Sequence, residues 1–328
     1  MQIKNWVNIG KAVLLANVSD KKTPINVKYR ITNKCNSHCA YCLYDKEDRD
    51  LDTDDVLSVI RQMIKAGTQR IGFAGGEALL RKDFGQVVNL CAQHGLYTTL
   101  ISNGYLVPRN VEILKKINCL ILSFDGPQKI HDANRESGSH KKLIHAIRVA
   151  VKHVPLITHT TLTVNNVEYI DYILDTAAKY GFYTSFCPVT FRSKMAVPDQ
   201  QLKAVILKLI RMKSKGYPIL ISDTLLRYWL DWKDFRVPYK FTKEKGDPVC
   251  WAGKLFCEVD CDGRIAACDR TIYTSKLNIV SEGFEKAFQK LKTGNCKACM
   301  KTWDAEYNFM YSLNPGVIWN WMKFVRKT

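Results

Sequence analysis

Three cysteines near the start of the chain have the spacing of metal ligands. Cys35, Cys39 and Cys42 are separated by three and two residues. Three thiolates this close together can bind three irons of a [4Fe–4S] cluster and leave the fourth iron open to a small molecule. The alternative is zinc with His38 as the fourth ligand, although zinc sites ordinarily take two ligands from each of two segments.

A second group of cysteines begins at Cys250 and ends at Cys299. Asp262-Gly263 is a turn signal between 256–259 and 264–267, and it predicts a β-hairpin. A hairpin brings Cys250 and Cys268 together, and the pair Cys296 and Cys299 completes a set of four thiolates. A zinc ribbon has a similar pattern, so both iron–sulfur and zinc chemistry are open for this group.

Five further cysteines have less clear roles. Cys257 and Cys261 lie inside the predicted hairpin, where either could replace a ligand, donate a hydrogen atom or simply pack. We rank Cys257 as the spare ligand and leave Cys261 open. Isolated cysteines in apolar surroundings are predicted to be small buried hydrophobic residues: Cys91, Cys119 and Cys187.

The composition favours a metal interpretation of these 12 cysteines over disulfides. The 328 residues include 46% hydrophobic residues, enough for a sizeable core. Neither a secretory hydrophobic segment nor an apolar run of about 18 residues occurs, so we expect a cytoplasmic chain whose thiols stay reduced. Lys and Arg number 49 against 31 Asp and Glu, a net charge of +18.

The elements that must position these residues alternate between strand and helix from residue 26 to about 190. Apolar runs at period two are followed by segments with helical apolar spacing, which predicts a parallel sheet in an α/β fold. Alternation alone does not separate an open doubly wound sheet from a full or partial barrel. The six predicted strands are 27–31, 70–74, 97–101, 119–123, 156–164 and 183–187.

Short motifs end three of these predicted strands. They are Ala74-Gly75-Gly76-Glu77, Ser102-Asn103-Gly104 and Ser123-Phe124-Asp125-Gly126, the last followed by His131-Asp132 and Arg135. Together with the first cysteine loop, these motifs resemble the radical S-adenosylmethionine (SAM) superfamily. Each lies at the carboxyl end of a strand, where barrel active sites are built.

The resemblance implies a SAM site. Gly75 and Gly76 would allow close backbone approach, and the Glu77 carboxylate would suit the methionyl ammonium. Ser123 and Arg135 would contact the cofactor's carboxylate. The implied cofactor-binding residues are Tyr41 near the adenine, Gly75, Gly76, Glu77, Ser102, Asn103, Ser123, Asp125, Arg135 and Asn165.

The resemblance also implies the fold and the chemistry of residues 26 to about 190. The fold would be a partial (β/α)6 barrel. The chemistry would be one-electron reduction of SAM to methionine and a 5′-deoxyadenosyl radical, which abstracts a substrate hydrogen. An electron donor such as flavodoxin or ferredoxin is then expected as a partner.

The second cysteine group is similar to the twitch form of the SPASM extension of this superfamily. Twelve residues separate Cys250 from Gly263 and four separate Gly263 from Cys268. With no cysteine after Cys299, the resemblance implies one auxiliary [4Fe–4S] cluster that conducts electrons. Asp269 matches a position where related dehydrogenases carry a general base, and the alternative is a turn aspartate or a partner of Arg270.

These signals predict five segments along the chain. They are an N-terminal helical segment (1–25), a radical SAM core (26–195), a basic helical linker (196–245), a twitch-like domain (246–305) and a C-terminal aromatic and basic helix (306–328). The linker region is basic because residues 201–245 contain 11 basic and 4 acidic residues.

The substrate class stays open at the level of sequence. The leading hypothesis is oxidation, epimerisation or bond formation on a small molecule or peptide. One alternative is a lipid or polyprenyl substrate at a membrane surface, based on an apolar helix face of Trp6, Val7, Ile9, Val13 and Leu14 beside Lys4 and Lys11. An RNA substrate is disfavoured because related RNA-modifying enzymes generally lack a twitch extension. A non-catalytic iron–sulfur protein would not need the SAM motifs.

Overall fold

The computed structural model describes residues 3–42, 49–190 and 193–327; the side chains of 3, 4, 193 and 327 lie outside the description, among them that of Lys4. Its strands are β1 Asn26–Arg30, β2 Arg70–Ala74, β3 Tyr97–Ser102, β4 Cys119–Ser123, β5 Leu156–Leu162, β6 Tyr183–Pro188, β7 Tyr239–Lys240, β8 Phe256–Val259, β9 Ile265–Ala266 and β10 Ala298–Cys299.

Helices follow most of the strands. They are α1 Ile3–Val18, α2 Thr53–Lys65, α3 Phe84–Gln93, α4 Val111–Leu114, α5 Gln128–Asn134, α6 Ser139–Ala150, α7 Ile170–Tyr180, α8 Asp199–Ser214, α9 Asp223–Leu230, α10 Asp269–Ile272, α11 Ile279–Glu282, α12 Phe284–Lys290, α13 Thr302–Tyr311 and α14 Pro315–Lys327. None of the helices within the described ranges is long and apolar enough to cross a membrane.

A mostly parallel sheet has the strand order β6-β5-β4-β3-β2-β1-β8-β9. All six strands predicted from the sequence are present, with ends that differ by one or two residues, and the α/β fold class is confirmed. The hairpin predicted around Asp262-Gly263 is also confirmed, as the antiparallel pair β8–β9. Its attachment is a finding that the sequence did not predict, because β8 pairs in parallel with β1 and extends the sheet.

The chain folds as two compact units. Unit 1 comprises Met1–Asn36, Leu43–Leu120 and Trp251–Gly294, and unit 2 comprises Ser37–Cys42, Ile121–Cys250 and Asn295–Thr328. Each unit is therefore assembled from segments far apart in the sequence, and the boundary at Leu120 falls within β4.

Unit 1 has an apolar core between its strands and helices. Tyr29 and Phe73 lie side by side in β1 and β2, and the Phe73 ring meets Phe84 of α3 edge-on at 5.4 Å between centroids. At the end of β1, Arg30 donates from Nε to Oδ1 of Asp260 at 2.6 Å, and both side chains are buried. This ion pair fixes the segment after β8 to the end of β1.

Unit 2 contains β5, β6 and the helices α5–α9, α13 and α14. Within residues 196–245, where the sequence predicts a basic helical linker, the chain forms two helices, α8 and α9. They are separate because Gly216 adopts a left-handed φ of +93° and Pro218 follows it. Ser222 caps α9 by accepting a hydrogen bond from the backbone N–H of Leu225 at 3.1 Å.

Two expectations about individual side chains need correction. The predicted apolar face of α1 is not a single face, since Val13 is 4% exposed whereas Val7 is 63% and Leu14 58% exposed. Residues 7 and 14 are two turns apart on one side of the helix, and residue 13 lies about 100° away. Cys91 and Cys119 are buried as predicted, but Cys187 is partly exposed.

Candidate active site

In unit 1, the two glycines of the Gly75-Gly76-Glu77 motif lie against the segment that leads to Cys35. The backbone N–H groups of Gly76 and Glu77 donate to the carbonyl oxygens of Thr32 and Lys34, each at 2.8 Å. A Cβ on Gly76 would lie 2.2 Å from the Lys34 oxygen, and one on Gly75 would lie 2.5 Å from the Thr32 oxygen. This close backbone approach requires glycine at both positions.

The Glu77 carboxylate is fully buried and accepts several hydrogen bonds within unit 1. It accepts from Ser102 Oγ at 3.0 Å, from the backbone N–H of Asn103 at 2.8 Å and from that of Leu79 at 3.2 Å. Asn103 in turn donates from Nδ2 to Oδ1 of Asn36 at 2.7 Å. Glu77 therefore connects the ends of β2 and β3, and Asn103 connects β3 to the residue after Cys35.

In unit 2, Arg135 joins three residues predicted from the motifs. Its Nε donates to Oδ2 of Asp125 at 2.7 Å, Nη2 to the Tyr41 hydroxyl at 2.5 Å and Nη1 to Sγ of Cys39 at 3.4 Å. Tyr41 also donates to Asp125 at 2.9 Å. Burial acts to lower the pKa of Arg135, but the Asp125 carboxylate outweighs it and holds this pKa well above its usual range.

The remaining residues of the same motif support this cluster. His131 Nδ1 accepts from the backbone N–H of Asp125 at 3.1 Å, and burial lowers the pKa of His131 to about 4, so the ring stays neutral. Asp132 accepts from the N–H groups of Gly138 and His140 and from the Ser139 hydroxyl, and thereby caps the start of α6.

Some predicted site residues lie outside these two networks. Ser123 ends β4 and is partly exposed, and Asn165 is exposed. Its neighbour Asn166 is buried and holds the turn after β5 through Thr163 N–H and the Thr161 carbonyl, each at 2.8 Å. Asp269 is the first residue of α10, directly after Cys268.

All seven predicted ligand cysteines are partly exposed, whereas Cys257 and Cys261 are buried. Cys35 belongs to unit 1 and Cys39 and Cys42 to unit 2; in the second group Cys268 belongs to unit 1 and the other three to unit 2. Over the described ranges, the structure does not group three His, Cys, Asp or Glu side chains at metal-binding distance. The metal-ligand assignments therefore stay predictions from spacing.

Sequence reasoning missed three residues around the first cysteine loop. Asp50 accepts from the Asn33 N–H at 2.8 Å and also pairs with the Thr32 hydroxyl. Arg81 donates to the carbonyls of Ile31 and Leu51 at 3.1 and 3.0 Å. Together with Asn36 they fix the backbone that leads to Cys35. No local sequence signal identifies them, because each acts on a segment distant in the chain.

Residues 29–177 match the family model described as the radical SAM superfamily. Two relatives extend the comparison. The chain is 33% identical over 90 residues to the PqqA peptide cyclase of Bradyrhizobium diazoefficiens, which covers 26% of this chain and only 24% of that protein. It is 23% identical over 298 residues to the mycofactocin maturase MftC of Mycolicibacterium smegmatis, covering 81% of this chain and 70% of that protein.

Solved structures share the fold. SuiB of Streptococcus suis, bound to its precursor peptide SuiA, superposes with a TM-score of 0.67 at 15% identity, over 86% of this chain and 68% of that one. A structure of anSMEcpe with bound AdoMet gives a TM-score of 0.65 at 17% identity, over 90% and 98% of the two chains.

The fold and the motif networks define a partial (β/α)6 barrel of the kind that uses SAM. Residues 29–177 therefore carry a radical SAM domain, the domain of a class of enzymes that use SAM. This domain implies SAM and a [4Fe–4S] cluster as cofactors.

We expect G76A to destabilise the protein, because the new Cβ must displace the Lys34 carbonyl and break the backbone bonds of 32–34. The expected loss in free energy of unfolding is about 1–3 kcal/mol, measured by thermal and urea unfolding of the metal-free protein. The matched control is G85A in α3, where a Cβ meets nothing within 4 Å. It should leave stability unchanged or raise it by up to about 1 kcal/mol. Equal losses in both variants would contradict the close-approach argument.

Stability should fall as the pH is lowered from 7 to 5. The pKa of buried His131 is about 4 against 6.5 for an unperturbed histidine, so the unfolded chain binds the extra proton between these values. The stabilisation is complete above pH 6.5 and is lost toward pH 4, with a slope of up to about 1.4 kcal/mol per pH unit for each such histidine. Urea unfolding of wild type and H131Q across this range measures it. An identical slope in H131Q would refute the assignment.

Proposed function

We propose that the protein is a maturase that modifies a peptide by radical SAM chemistry, with a second iron–sulfur cluster as electron conduit. The observation that carries the proposal is the contact of Arg135 with Cys39 Sγ, Tyr41 and Asp125, which ties the cysteine loop to the SAM motif after β4. The peptide class is supported by the similarity to the PqqA peptide cyclase, and by the similarity to a SuiB structure that contains a precursor peptide.

The first cluster would be held by Cys35, Cys39 and Cys42. Arg135 donates to Sγ of Cys39 at 3.4 Å, and this contact holds the sulfur within the loop that carries the other two cysteines. When bound, the cluster supplies one electron to SAM, which yields methionine and a 5′-deoxyadenosyl radical.

The side chains around SAM would act mainly by fixed charge and position. Asp125 holds the buried Arg135 guanidinium, so its cationic N–H groups are oriented before any carboxylate arrives. Glu77 holds the Ser102 hydroxyl and the Asn103 N–H at the end of β3. These residues need little rearrangement to bind an amino acid moiety.

The second cluster would be held by Cys250, Cys268, Cys296 and Cys299. β7 and β10 pair in an antiparallel manner, and Cys299 lies opposite Tyr239 in this pair. The pairing fixes the backbone of Cys299. The burial of the two alternatives speaks against them: Cys257 is fully buried in β8, and burial raises the pKa of Cys261 to about 12. A thiol held protonated in a core is a poor metal ligand.

Asp269 is proposed as the group that takes a substrate proton during oxidation. It follows Cys268 directly and lies in the first turn of α10. An acidic residue in that position also stabilises the helix N-terminus, which is its alternative role. The predicted flavodoxin or ferredoxin donor remains an expectation.

Iron content tests the ligand assignment without a substrate. Anaerobically reconstituted protein should contain about eight irons per chain. Replacement of Cys35, Cys39 and Cys42 by Ala should leave about four and abolish SAM cleavage, whereas C296A/C299A should lose about four and keep some cleavage. C257A is the matched control for C250A, and it should keep all of its iron. If C257A loses the second cluster and C250A retains it, the assignment is wrong; zinc at the second site would exclude electron conduction.

The substrate class is tested with peptides encoded by short open reading frames beside the gene. Each is synthesised with deuterated residues and incubated with reconstituted enzyme, SAM and dithionite. We expect one peptide to transfer deuterium into 5′-deoxyadenosine and to change mass. SAM cleavage that never carries deuterium from any of these peptides, but does so from a deuterated sugar or lipid, would replace the peptide class with that substrate.

A further inference from the structure

The strands β4 and β5 show which face of the sheet in unit 2 is covered by helices and which face is opposite to them. Phe124, directly after β4, packs against rings of the surrounding helices α5, α6 and α7, with centroids 6.1–6.3 Å away: His131, His140 and Tyr172. Phe124 lies beside Thr160, whose hydroxyl donates to the Phe124 carbonyl at 2.5 Å. Since side chains alternate along a strand, His159 points to the opposite, inner face of the sheet.

On this inner face His159 is held from two sides. Its Nδ1 lies 2.7 Å from the hydroxyl oxygen of Ser185, its register partner in β6. Its ring packs against the indole of Trp303 at 5.7 Å between centroids. Trp303 is fixed in turn, because the neighbouring Thr302 hydroxyl donates to the Phe186 carbonyl at 2.7 Å.

The second ring nitrogen of His159, Nε2, is available to bind a ligand. Within the described part of the chain, Nε2 has no hydrogen-bond partner, and His159 is partly exposed while Thr158 and Thr160 on either side are fully buried. Trp303 is also partly exposed. An imidazole edge and an indole face thus line one accessible surface.

This surface is level with the SAM motif. The backbone N–H of Phe124 donates to the His159 carbonyl at 3.0 Å. Asp125, the residue after Phe124, therefore lies close to His159 along the sheet. Asp125 accepts hydrogen bonds from Tyr41 and Arg135, and Arg135 also donates to Cys39. Any substrate whose hydrogen is abstracted beside this cluster must lie near the same inner face.

The chemistry of the surface suits an uncharged, hydrogen-bonding ligand. Burial lowers the pKa of His159 to about 4, although the Asp125 charge acts to raise it, so the ring is neutral at pH 7. A neutral imidazole has one donor and one acceptor nitrogen; Ser185 occupies Nδ1, and Nε2 can make one hydrogen bond. A charged group would lose its hydration here without an opposite charge on His159 to compensate.

We propose that His159 Nε2 hydrogen-bonds an amide group of the substrate, while the Trp303 indole packs against the adjoining side chain. The inference rests on the proposed function and specifies the group that the site recognises. Ser185 acts through His159 as a positioning residue, since it fixes the imidazole's rotation.

The test uses reconstituted holoenzyme with SAM and dithionite. The probes are N-acetylated, C-amidated dipeptides that cover every pair of the common side chains, and the readout is 5′-deoxyadenosine formed above the rate with SAM alone. We expect part of the panel to stimulate wild type. H159L should raise the KM of the best dipeptide by about 10- to 100-fold, because the buried amide loses its partner. H159Q, which keeps a donor, should restore the KM to within about fivefold, and S185A should fall between them.

The matched control is H140L, a histidine on the helix side of the same Phe124, which should leave the KM unchanged. SAM-only cleavage by H140L should also stay within about twofold of wild type. No stimulation by any dipeptide, or an H159L variant with an unchanged KM, overturns the inference and leaves the proposed function standing. Absence of SAM-only cleavage in wild type would overturn the proposed function and the inference with it.

Discussion

The ion pair between Asp125 and Arg135 is the interaction on which unit 2 depends at its functional end. Both side chains are buried, and removal of one partner from a buried pair leaves a charge that costs about 3–5 kcal/mol. The pair is satisfied on every side: Tyr41 binds both residues, His131 binds the Asp125 backbone and Cys39 accepts from Arg135. A cysteine loop with no regular structure of its own thereby acquires a fixed anchor.

Much of the fold could be predicted from the sequence because its determinants are local. Period-two alternation located six strands, and the Asp262-Gly263 turn located the hairpin. The pairing of β8 with β1 could not be predicted, since it joins residues about 230 positions apart and depends on partners such as Arg30 and Asp260. The end of α8 has a local determinant in Gly216, which adopts a left-handed φ of +93°.

The sequence predicted which residues lie at the candidate site, but it did not predict which hydrogen bonds each of them makes. Glu77 was expected to face the cofactor, yet its oxygens also bind Ser102, Asn103 and Leu79 within the scaffold. Asp132 of the same motif family caps a helix. The sequence identifies an acidic residue at the end of a strand, but it does not show which donors bind it. The donors come from loops that meet only in the folded protein, and Asp50 and Arg81 were missed for the same reason.

Charge acts on two length scales in this protein. The net charge of +18 attracts anionic partners over distances up to about 8 Å at physiological salt and does not distinguish among them. On the inner face of β5 the His159 ring itself is neutral at pH 7, because burial lowers its pKa to about 4. The net charge and the pair His159 and Trp303 therefore act at different ranges on a ligand. For the proposed peptide, the net charge would attract its acidic residues, whereas shape and hydrogen bonding at His159 and Trp303 would select the segment that lies beside them.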